Sequence, residues 1–127
     1  MSGQYRTSVD LVTEALANLQ VLAAGQPVDV EDFNYVNEKL DAIMRKLAAL
    51  EIVYVSDVNN IPGAWFADLA DIVAGECTSK FGSTPEDSAA MVQKGLGVPP
   101  GTGAAAQSLK QMLRLRPTYE TLQTEFM

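Results

Sequence analysis

The break Gly25-Gln26-Pro27-Val28-Asp29 separates two long stretches whose apolar residues recur every three or four positions, and this pairing restricts the fold more than any other feature. Upstream, Val9, Val12, Ala15, Leu16, Leu19 and Leu22 line one side of a helix. Thr7 or Ser8 can cap it, with Asp10 placed to favour its positive end. Gly25 can take the left-handed conformation that closes a helix, and Pro27 prevents resumption. Downstream, Asp29 caps a second helix whose stripe is Phe33, Val36, Leu40, Ile43, Met44, Leu47 and Leu50. Glu38, Lys39, Asp41, Arg45 and Lys46 fall mostly off that stripe. Two such helices on a short loop pack as an antiparallel hairpin, with the rest of the chain as cover or attachment.

Ile52-Val53-Tyr54-Val55 has no helical spacing and is β-branched or aromatic throughout, which predicts a short extended segment. Such a segment would lie flat on the bundle or pair with a neighbouring subunit. Ser56 to Asn60 reads as a turn, and Pro62 suits the first turn of a third helix. That helix carries Trp65, Phe66, Leu69, Ile72, Val73 and Cys77 and runs to about Phe81, with Gly82 as its stop. Thr84 caps a weakly apolar fourth helix, with Pro85 in its first position and Asp87 in the place of the capping box's glutamate. A loop of prolines and glycines follows over residues 97–103. A fifth helix then packs through Leu109, Met112 and Leu113, and Pro117 ends it. The expected fold is an all-α bundle of about five helices over residues 1–116, with an extended C-terminal arm over residues 117–127.

Composition narrows the function classes. A chain of 127 residues supports one domain with a modest core. No apolar run approaches the roughly 20 residues that span a bilayer, and the N-terminus lacks a signal-peptide stretch, so a cytoplasmic place of synthesis and folding is expected. A single cysteine, Cys77, allows no internal disulfide, and the lack of histidine argues against zinc or iron. The net charge of −7 disfavours a groove that grips nucleic acid by its phosphates; it either serves solubility alone or suits a conduit through which DNA slides without sticking. Residues 1–100 hold fourteen of the sixteen acids, whereas residues 101–127 hold Lys110, Arg114 and Arg116 against Glu120 and Glu125.

Three features could carry chemistry. Pro99-Pro100-Gly101-Thr102-Gly103 has the look of a phosphate-cradling loop, but Ala104 and Ala105 stand where a lysine and a serine or threonine are needed. It reads more simply as a rigid Pro-Pro turn with flexible glycines. Asp68 and Asp71 share a helical face and could act as acid and base, but in so acidic a chain such a pair is usually a solvated face. Cys77 has no histidine to activate it and reads as a small buried residue. No catalytic residue, metal or cofactor is expected.

Two features read as contact surface. Trp65-Phe66 is a potential interface anchor, although Phe66 fits the core stripe and Trp65 would cover its edge. The C-terminal stretch Arg114 to Met127 sets Tyr119, Leu122, Phe126 and Met127 in a segment that cannot bury them alone. Chain ends are often disordered; the alternative is docking on a partner by strand addition or by filling pockets.

The stretches Ala15-Leu16-Ala17-Asn18-Leu19-Gln20-Val21-Leu22-Ala23-Ala24-Gly25-Gln26 and Asn37-Glu38-Lys39-Leu40-Asp41-Ala42-Ile43-Met44, followed by Ile52 to Val55 and the aromatic-led helix from Trp65 to Phe81, resemble the head-to-tail connector family of tailed bacteriophages. These are the adaptor proteins also called tail accessory or packaged-DNA stabilisation factors. The resemblance implies a structural virion protein: a dodecameric ring docked under the portal protein at the head–tail junction, assembled in the host cytoplasm. Such a ring continues the channel through which double-stranded DNA passes and offers a platform for tail proteins such as nozzle, tail tube or fibre components. It implies an arm that reaches the portal, and composition with this analogy gives the expected portal-binding set: Arg114 and Arg116 as ionic anchors, Pro117, and Tyr119, Leu122 and Phe126 as pocket fillers. Ile52, Val53, Tyr54, Val55 and Trp65 become the expected subunit interface. The competing expectation is a cytoplasmic acidic helical interaction module or small regulator.

Overall fold

A computed structural model describes residues 5–19, 29–81 and 84–113. Helices α1 (Ser8–Asn18), α2 (Val30–Ala49), α3 (Gly63–Cys77), α4 (Pro85–Lys94) and α5 (residues 104–113) form an all-α bundle. The β structure among the described residues is a clasp of two-residue strands, β1 (Tyr5–Arg6) and β2 (Ile61–Pro62), paired antiparallel with Arg6 opposite Ile61. Leu22, the break around Gly25 and Pro27, the stop at Gly82 and the arm lie outside the described residues.

The helices begin where the sequence provides caps. The Thr7 hydroxyl accepts from the Asp10 amide at 3.2 Å while the Asp10 carboxylate accepts from the Thr7 amide, a reciprocal capping box. Asp29 accepts from the Glu31 amide at the start of α2, and Thr84 accepts from the Asp87 amide at the start of α4, where Pro85 takes the first position. The end of α2 is less usual. Glu51 adopts a left-handed φ of 58°, its amide donates to Ala48 O, and the Ile52 amide donates to Leu47 O. This is a Schellman ending with glutamate where glycine is normal, and it turns Ile52 into the core.

Helix α3 lies at the centre. Phe66, Leu69, Ala70, Ile72, Val73, Ala74, Gly75 and Cys77 are all buried, so almost its whole circumference is covered. α1 advances along it in the same sense, with the Arg6 guanidinium over the Phe66 ring (4.2 Å) near one end and Asn18 bonded to Asp71 further along. α2 runs the opposite way, bringing Tyr35 edge-on to Phe81 and Lys46 to Glu76. The hairpin stripes fill the same core through Val12, Ala15, Leu16, Val36, Leu40, Ile43, Met44 and Leu47. Val9, assigned to the first stripe, is instead 56% exposed, and Leu11 takes the inward position. The helix expected as cover is therefore the element that the hairpin packs around.

The fourth helix buries no residue fully, yet it sits tightly on α3 because glycines remove the side chains between them. A Cβ on Gly75 would stand 2.8 Å from the Met91 carbonyl oxygen, and one on Gly95 would stand 2.7 Å from the Asp71 carbonyl oxygen. The loop after α4 is equally close-packed. The amides of Gly101 and Gly103 both donate to Leu96 O, the Thr102 hydroxyl donates to Pro99 O at 2.7 Å, and Lys110 donates to Gly101 O. A Cβ on Gly103 would collide with Gly95 O. These glycines, expected to be flexible, are fixed by close backbone approach.

Ile52 to Val55 forms no strand. The turn after it, closed by Asn60 N to Asp57 O, carries Asn59 back to accept from the Ser8 hydroxyl at 2.9 Å, and the strand pairing falls on Ile61–Pro62 instead. Burial explains the shift: Ile52 and Val53 are drawn into the core at 1% and 3% exposure, which holds their backbone against the bundle. The second shift is at the end of α3, where the α-helix gives way to a 3-10 turn over Thr78–Phe81.

Because the atoms opposing Gly75 and Gly95 are backbone, neither can swing aside. Gly95→Val should lower the unfolding free energy by about 1–3 kcal/mol, the usual cost of overpacking, read as a lower urea midpoint.

Candidate interaction surface

Five residues of the chain's own interior and surface decide what an interface can use. Of the expected subunit-interface set, Ile52 and Val53 belong to the chain's own core, Val55 and Trp65 are partly buried against it, and Tyr54 is 71% exposed. The available surface past α2 is therefore Tyr54, not the whole segment. Tyr54 borders a cleft of about 370 Å³ with Met44, Ala48, Val55 and Val58, rimmed by Asp57 and by the Asp41–Arg45 pair. Leu50, Glu51 and Ile52 share a second recess with Lys110 and Leu113. Leu113, in the last turn of α5, therefore lies beside the end of α2. The expected portal-binding residues Arg114, Arg116, Pro117, Tyr119, Leu122 and Phe126 lie outside the described residues.

Sequence reasoning missed a second surface. Tyr35, Lys39, Ala42, Ile43, Lys46, Glu76 and Ser79 line a cleft of about 330 Å³ between α2 and the end of α3. The ammonium groups of Lys39 and Lys80 stand 5.4 and 5.3 Å from the Tyr35 ring centre, within cation–π range. Tyr35 and Lys39 are one helical turn apart, which the sequence displays, but Lys80 reaches the ring only through the turn after α3.

The carboxylates weighed as catalytic are differently placed. Asp71 accepts from Asn18 Nδ2 at 3.2 Å and stands 4.0 Å from Lys94, beside a small cleft of about 100 Å³. Burial raises its pKa above the usual aspartate range; Lys94 opposes the rise, and Asp68 and Glu14 add to it. The geometry is a joint between α1, α3 and α4, with one carboxylate engaged by its neighbours. Cys77 is buried, and desolvation, with a smaller push from Glu76, raises its thiol to about 11. Among the described residues no cluster of histidine, cysteine and acids could hold a metal ion, and no helix is long and apolar enough to cross a membrane. No family model, curated protein or solved structure matches the chain.

Asp71 binds its proton more tightly in the folded than in the unfolded chain, so stability falls as pH rises through the interval between its unfolded and raised folded values. Asp71→Asn should remove that slope and match or exceed the wild-type urea midpoint at neutral pH, with no advantage in strong acid where Asp71 is protonated in both states. The Cys77 thiol should resist alkylation in the folded protein at mildly alkaline pH and react at once in denaturant, followed by mass spectrometry.

Proposed function

We propose that the chain is a non-catalytic structural subunit of a bacteriophage head-to-tail connector, a homo-oligomeric ring that docks on the portal protein, extends the DNA channel and carries the tail. The observation that supports this best is the arrangement at the end of α2. Tyr54 is exposed there, and Leu113, the residue before the C-terminal stretch, shares a recess with Leu50 and Ile52. One end thus offers both an aromatic contact and the root of a segment rich in aromatics and threonine, which matches the division of labour that the sequence resemblance implies. The acid excess agrees with a lumen past which DNA moves without being held. In this reading the ring is dodecameric, Tyr54 and Trp65 contact neighbours, and Arg114, Arg116, Tyr119, Leu122 and Phe126 engage the portal.

The alternative, an acidic helical interaction module, predicts a monomer or dimer that ignores the portal. Native mass spectrometry of the chain, alone and with a phage portal protein from the same source, separates the two: a stoichiometry near twelve copies per portal ring is expected. Removing residues 118–127 should abolish portal binding while the helical circular dichroism signal and urea midpoint stay unchanged. Unchanged portal binding would take the arm out of the account, and a chain that neither self-associates nor binds the portal would end the proposal.

A further inference from the structure

The charges of the described residues are unequally satisfied. Arg6, Arg45, Lys46 and Lys94 each pair with a carboxylate of the same chain, and Lys110 donates to a backbone carbonyl. Among the described residues, Lys39 and Lys80 are the two cations with no such oxygen partner, and both face the Tyr35 ring. Glu76, the carboxylate of that cleft, is already bonded to Lys46 at 3.1 Å. In a chain of net charge −7, the excess of acid is locally reversed at this cleft.

The opposite condition holds past the end of α2, about 20 Å along the helix from Tyr35 at roughly 1.5 Å per residue. Glu51 and Asp57, three residues before and three after the exposed Tyr54, are exposed there, and among the described residues neither forms an ion pair. Glu51 also occupies a left-handed position that glycine fills more easily, so the helix ending itself does not call for this side chain. Two copies brought together without matching these regions would set acid against acid.

We infer that the Tyr35 cleft of one copy receives the Glu51–Tyr54–Asp57 edge of the next, with Lys39 and Lys80 facing the two carboxylates and Tyr54 entering beside Tyr35. This inference rests on the ring reading and names its subunit contact. The two patches are different surfaces of the subunit, so the contact is head-to-tail and propagates from copy to copy, closing into a ring when the rotation permits. The paired charges fix orientation and partner, while the aromatic burial supplies the apolar area.

A charge exchange tests it. Lys39→Glu with Lys80→Glu, and separately Glu51→Lys with Asp57→Lys, should each leave a folded chain whose assembly is lost in sedimentation velocity. An equal mixture of the two variants should regain the wild-type assembly, because every contact again joins opposite charges. Glu51→Gly supplies a second reading: it should raise the urea midpoint of the subunit yet weaken assembly, a combination that a purely structural role would not give. Wild-type assembly by either double variant alone, or a mixture that stays dissociated, overturns the contact and leaves the ring standing. A wild-type chain that stays monomeric at every concentration and on the portal overturns the contact and the ring together.

Discussion

Everything in the bundle depends on how closely other backbones approach α3. Its small residues Ala70, Ala74 and Gly75 interrupt the large ones, so α4 can lie against it with Met91 and Val92 close to Gly75 and Asp71 and Ile72 close to Gly95. Contact at this range gains dispersion along the whole crossing and excludes water without requiring α4 to be greasy. That is why a helix with no fully buried residue is firmly attached, and why the loop after it folds back in glycine-lined turns onto Leu96. The large apolar residues of α1, α2 and α5 then complete a single core around the same helix.

Much of this was legible in the sequence, and the failures have physical causes. Stripe spacing located α1 and α2, and cap residues fixed Thr7, Asp29 and Thr84 as helix starts. Periodicity reports which face is apolar but not how many neighbours an element has, so α3 looked like one more cover helix. A pattern weighted toward large residues also passes over Ala70, Ala74 and Gly75, whose contribution is to be small. The extended segment was read from β-propensity alone; burial of Ile52 and Val53 prevailed, and the strand pairing moved to Ile61, where Arg6 could meet it. Glycines near prolines look mobile in sequence because the backbones that immobilise them come from elsewhere in the chain.

The surface follows a similar division. Tyr54 was read only as part of the Ile52–Val55 segment and its exposure emerged with the fold, and the cleft at Tyr35 depends on Lys80 arriving from a turn that ends α3, which no local pattern encodes. The acid pair Asp68 and Asp71 shows the converse. Its spacing suggested chemistry or a solvated face, and the surroundings make Asp71 a hydrogen-bonded joint whose burial costs some stability. Asp71 and the buried Cys77 thus belong to the packing of the bundle.

The β1–β2 clasp has a consequence for how the chain is made. Ser8 and Asn59, 51 positions apart, are joined by hydrogen bonds, and Arg6 reaches Phe66 further on. On a ribosome, α1 and α2 emerge long before the residues that seat the first helix against α3. The hairpin therefore waits with its apolar stripes partly uncovered until the sequence past Phe66 has left the exit tunnel, and the pairing of Arg6 waits with it.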